Sequence, residues 1–139
     1  MKKVLMVGAA LVVAAGTAFA GAHGSMSDKR VDAMKGVGGA MKAIGEGTGD
    51  PVENAMKAKM LLDGMLELFP EGSAEYRAKA NIWTDWAGFE KSMMETQARA
   101  DDLVAAAKSG GLDAARAALG PMGKTCKACH DEYRGPKPN

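Results

Sequence analysis

Four stretches of this chain carry a stripe of mostly apolar side chains in alternating steps of three and four, a pattern few folds satisfy. The first stripe runs Ser27, Arg30, Met34, Val37, Met41, Ile44, and the second Ala55, Ala58, Leu62, Met65, Phe69. The third runs Ile82, Trp86, Phe89, Met93, Thr96, Ala100, Leu103, Ala107, and the fourth Leu112, Ala115, Leu119, Met122, Cys126, Cys129, Tyr133. A sustained step of about 3.5 residues makes a narrow seam that packs on neighbouring helices at a shallow angle. No run alternates with the period of two of a half-buried strand. The expected fold is all-α, an antiparallel four-helix bundle.

The breaks between stripes carry the glycines and prolines: Gly45 to Asp50, Pro70-Glu71-Gly72-Ser73, and Ser109-Gly110-Gly111. Asp50-Pro51-Val52-Glu53 reads as a helix start, with Asp50 as N-cap, Pro51 in the first turn and Glu53 reaching back as in a capping box. A short extra turn fits between Phe69 and Ile82. Pro121 falls inside the fourth segment, where it removes the backbone bond to the Ala117 carbonyl and is expected to bend the helix, eased by Gly120 and Gly123. Gly36, Gly38 and Gly39 cost helix stability. They serve either to let a flat group approach the backbone or to let helices pack closely. The tail from Gly135 cannot continue a helix, and 136–139 is expected to be flexible.

The first 20 residues are set apart. Lys2 and Lys3 precede an apolar stretch from Val4 to about Phe19, which ends in Ala18-Phe19-Ala20, the order of a secretory signal peptide. Ala20-Gly21-Ala22 offers a second cut. The stretch is short for a membrane span and is interrupted by Gly8 and Gly16. No cysteine follows it to carry a lipid. The mature chain is therefore expected in the periplasm, with no membrane insertion after cleavage. Cutting after Ala20 leaves 119 residues, a bundle over 21–135 as one domain, and takes the formal charge from +1 to −1. A nearly neutral chain argues against nucleic acid as partner.

Two cysteines in an exported protein ordinarily suggest a disulfide. Here they are three apart and followed at once by histidine: Cys126-Lys127-Ala128-Cys129-His130, the attachment signature of c-type haem. On a helix, positions i, i+3 and i+4 share a face, so both thiols can add to the haem vinyl groups while the imidazole reaches the iron as proximal ligand. Lys127 and Ala128 point elsewhere. The rivals each lack a part. A disulfide between residues three apart on a helix is awkward, a thioredoxin-like pair needs a preceding strand, and a zinc site needs a second histidine better placed than His23. The motif continues the fourth stripe, so one covalent haem c would lie in the bundle core.

At these residues the chain resembles class II cytochromes c, the cytochrome c′ family. The likeness rests on Gly123-Lys124-Thr125-Cys126-Lys127-Ala128-Cys129-His130-Asp131-Glu132-Tyr133-Arg134, on Ile82-Trp83, and on Arg30 to Lys35 followed by Met41 to Gly45. It implies a four-helix bundle with haem near the C-terminus, and homodimers packed through the first two helices. It also implies that Met34 stands over the distal face of the iron. The family divides there. Apolar distal residues leave iron five-coordinate, high-spin and open to small gases such as nitric oxide, whereas methionine ligands give low-spin electron carriers.

A thioether can ligate haem iron. The sequence reading favours His130 and Met34 as axial ligands of an electron carrier that turns over no substrate and meets redox partner proteins, resembling the methionine-ligated members. The alternative is a five-coordinate gas-binding cytochrome c′. Nine methionines remain after Met1 and Met6 are set aside, so Met34 also fits as core filler, and Met41 and His23 compete for the ligand role. A peroxidase would need a distal acid/base that only His23 offers. Arg30, one turn before Met34, is expected to contact a haem propionate, or else to snorkel to solvent. Arg134 either tunes the proximal side or sits at the solvent edge. Trp83 and Trp86 read as core packing rather than cofactor contacts.

Overall fold

The computed structural model describes residues 25–138. The expected signal peptide (1–20), the choice of cleavage point and His23 lie outside the described residues. Helix α1 spans Met26–Glu46, α2 Pro51–Asp63, a 3-10 turn Leu66–Leu68, α3 Asn81–Thr84 and α4 Trp86–Tyr133. Helix α4 has two arms, because Gly111 takes φ 62 and ψ −148, outside helical space. Only glycine adopts that conformation without strain, so a single residue reverses the chain where a three-residue break was expected. With α1, α2 and the two arms, the four-helix bundle is observed. Among the described residues no helix is long and apolar enough to cross a membrane.

The stripes become the core. Ala55, Ala58, Leu62, Met65 and Phe69 are all buried, as are Phe89, Met93, Thr96, Ala100, Leu103 and Ala107. Cross-links show the antiparallel order. Gln97 donates to the Leu62 carbonyl at 2.9 Å and Lys59 pairs with Asp101 at 2.9 Å, while Arg116 donates to the Gly45 carbonyl at 3.2 Å.

Burial and helix continuity part company in two places. The second stripe runs to Phe69, yet α2 stops at Asp63, with Gly64 as its C-cap and the 3-10 turn following. Ile82 belongs to the short α3, which a break at Asp85 (φ −125, ψ 51) separates from α4. Periodicity reports which side chains meet the core, and a turn can present them as well as a helix can.

One local expectation needs correction, and two gain detail. Asp50 caps α2, accepting from the Glu53 N–H at 2.8 Å, but the reciprocal box lies instead at Ser25 and Asp28 of α1. Gly111 is the one residue of α4 with non-helical dihedrals, so Pro121 sits in the second arm without breaking it. Pro121 and Ala117 are both exposed, which leaves the freed carbonyl to water. The tail begins tied down: Ala78 and Arg134 form an antiparallel bridge, and the Gly135 N–H donates to the Arg77 carbonyl at 2.7 Å.

The glycines of α1 divide between the two readings. A Cβ at Gly36 would stand 2.6 Å from Leu61 Cδ1, so Gly36 serves packing of α1 on α2. Gly38 meets no neighbour within 4 Å and lines the cavity described next.

Candidate haem site

A cavity of about 480 Å³ lies between α1 and the second arm of α4. That is within the range of cofactor pockets. One wall is Cys126, Cys129, His130 and Tyr133, and the facing wall is Arg30, Met34, Val37, Gly38 and Met41 of α1. Leu62, Phe69, Ile82, Phe89 and Met93 form its apolar floor, and residues Glu75 to Ala78 form part of its rim.

The motif behaves as helix geometry requires. Both thiols are free and half-buried, and with His130 they line one cavity. Lys127 and Ala128 are exposed, with Lys127 paired to Asp131. Burial raises the Cys126 pKa. Burial and then neighbouring Cys126 push Cys129 up to about 11. Both are therefore protonated thiols at neutral pH. Burial, then the charges of Arg134 and Arg77, lower the His130 pKa against a smaller opposing effect of Asp131. The imidazole is thus neutral, the form that ligates iron. Among the described residues no group of three or more His, Cys, Asp or Glu side chains could hold a metal ion by itself. Two thiols and a neutral imidazole on one wall of an apolar slot fit a covalently attached, iron-bearing macrocycle.

Met34 and Met41 both reach the cavity from α1, each half-buried. Arg30 is only 6% exposed and does not snorkel. Its guanidinium donates to Ser73 Oγ at 3.1 Å, the Ser73 carbonyl at 2.9 Å and the Leu68 carbonyl at 3.4 Å. It lies 4.7 Å from the Phe69 ring centroid. Burial lowers its pKa and Glu75 opposes that. Arg134 is exposed at the rim, and its charge is one cause of the lowered His130 pKa. Neither tryptophan lines the cavity. Trp83 Nε1 donates to the Phe69 and Pro70 carbonyls, and Trp86 packs on Phe89 with centroids 5.6 Å apart.

Sequence reasoning missed the rim. Ser73 was read only as part of a break, and it is the buried anchor of Arg30. Tyr76, Arg77 and Ala78 wall the cavity from a connection with no periodicity. The available signal was Arg30 itself, since a buried guanidinium requires acceptors.

Residues 25–134 match the family described as Cytochrome C′. The chain is 34% identical over 145 residues to the cytochrome c′ of Rhodospirillum rubrum, covering 96% of this chain and 99% of that one. Ferric cytochrome c prime from Alcaligenes xylosoxidans superposes with TM-score 0.73 at 30% identity, over 81% of this chain and 94% of that chain. A nitric oxide complex of a single-site variant of the same protein superposes with TM-score 0.71 at 29% identity, over 80% and 94%. With the bundle, the paired thiols and the imidazole on one cavity wall, the chain belongs to the cytochrome c′ family, whose cofactor is covalently bound haem c.

Proposed function

We propose that this chain is a five-coordinate, high-spin cytochrome c′ that binds a small gas such as nitric oxide on the distal face of its haem. Cys126 and Cys129 hold the haem through thioethers, and His130 is its one protein ligand. The haem, when bound, supplies an iron with an open coordination position. The observation that carries the reading is the facing wall of α1, which presents Met34, Val37 and Met41 and no imidazole. The relatives support it: they are named cytochrome c′, and one solved neighbour is a nitric oxide complex. They favour it over the methionine-ligated electron carrier, which the sequence reading had placed first.

In this reading Met34 covers the iron without ligating it, keeping water out and limiting which ligands fit. Arg30 contacts a propionate as well as its loop partners, since its three bonds leave two of five N–H donors unused. The protein works in the periplasm, and redox partner proteins set the oxidation state of its iron.

A second reading keeps Met34 as axial ligand, because Met34 and His130 line the same cavity from different helices. Gas binding to Met34 variants separates the two. Under the five-coordinate reading, Met34→Leu leaves the high-spin spectrum in place. Met34→Ala clears space above the iron and raises carbon monoxide affinity by about tenfold, equivalent to ~1.4 kcal/mol. A wild type that takes up carbon monoxide only after Met34 is replaced would overturn it.

A further inference from the structure

His130 lies in the last turn of α4, three residues before the helix ends at Tyr133. Terminal turns fray, and a metal ligand on a fraying turn has no fixed orientation. The structure answers this with a clasp from 48 residues away. The Tyr133 hydroxyl donates to Asp85 Oδ2 at 2.9 Å. The other oxygen of the same carboxylate, Oδ1, accepts from the Gly88 N–H at 3.3 Å and caps the start of α4. Tyr133 is 5% exposed and lines the cavity. Its ring meets Phe89 edge-on with centroids 5.2 Å apart.

Gly88 completes the unit. A Cβ there would stand 2.3 Å from Asp85 Oδ2 and 2.7 Å from the Tyr133 hydroxyl, so any other residue would force the clasp open. Two bonds to backbone carbonyls secure the same turn from the other side. The Lys79 N–H donates to the Tyr133 carbonyl at 3.1 Å, and Asn81 Nδ2 to the Glu132 carbonyl at 3.2 Å.

We infer that Asp85 is a positioning residue for His130. Through the Tyr133 hydroxyl it holds the final turn of α4 against the start of the same helix, and so fixes the imidazole's angle at the iron. Outer partners that orient a metal-bound histidine commonly act on the ring itself; here the partner acts on the helical turn that carries it. The inference rests on His130 being the iron ligand.

The test uses ferrous holoprotein, its iron–imidazole stretch by resonance Raman, and amide exchange over residues 127–133. Asp85→Ser keeps an N-cap but is too short for Tyr133, whereas Asp85→Asn keeps both the cap and the acceptor. Asp85→Ser and Tyr133→Phe should shift or broaden the stretch and speed exchange by about tenfold, in line with losing a hydrogen bond to a charged group. Asp85→Asn should stay near wild type. Gly88→Ala should match Tyr133→Phe, and the double variant should be no worse than either alone, as for groups acting as one unit. An unchanged stretch in both Asp85→Ser and Tyr133→Phe, with only thermal stability lowered, would overturn the positioning role. Absence of the stretch from the wild type, which a six-coordinate iron also gives, would instead overturn the five-coordinate reading, and the exchange rates over residues 127–133 would then decide the positioning role.

Discussion

Replacing Cys126 and Cys129 together with alanine yields a chain from which acidified acetone extracts all of the haem, and which shows no haem stain on a denaturing gel. The effect is all-or-none because the sequence holds no other cysteine. Both thiols face one cavity beside His130, and each thioether would form by adding sulfur to one vinyl carbon and hydrogen to the other, with nothing lost. Each single variant keeps one thioether and so keeps the stain. Non-covalent haem can still enter the double variant, since His130 and the apolar floor remain; colour without covalent attachment is the expected phenotype. Haem that stays with the denatured double variant would rule out thioether attachment at these residues.

Arg30→Leu lowers stability by about 2–4 kcal/mol, for reasons the sequence did not reveal. The change removes three hydrogen bonds from a charged donor and a cation–π contact on Phe69, and leaves Ser73 held only by Pro70 and Glu75. For a domain of this size the melting temperature falls by roughly 10 °C. Arg30→Lys recovers little, because an ammonium cannot span the Ser73 hydroxyl, the Ser73 carbonyl and the Leu68 carbonyl at once. Amide exchange should accelerate first at residues 68–75, which the guanidinium ties to α1. A melting temperature within about 2 °C of wild type would mean that these bonds add nothing net. A potential that also moves in Arg30→Leu would mark the propionate contact.

The bundle was legible because its seam is written in side chains that recur at fixed steps, from Ala55 to Phe69 and from Phe89 to Ala107. The proximal wall was legible because Cys126, Cys129 and His130 are neighbours on one helix, where spacing alone decides which way they point. The rim had no such code. Ser73 and Tyr76 to Ala78 come from a connection whose path depends on contacts with Arg30 and the tail, and those partners are 43 residues and more apart in sequence. The clasp was hidden for the same reason, since nothing local to Asp85 points to Tyr133, 48 residues away.

The distal face is where sequence pattern and family likeness pulled apart. A methionine at position 34 suits both a ligand and a lid, and spacing does not tell the two apart. The visible and near-infrared absorption of the purified protein, ferric and ferrous, does so directly. Five-coordinate iron predicts broad high-spin bands in both states, no sharp alpha band on reduction, and no near-infrared band of methionine ligation. A sharp alpha band in the ferrous protein, together with a near-infrared band that disappears in Met34→Leu, would contradict the account and make this chain a methionine-ligated electron carrier.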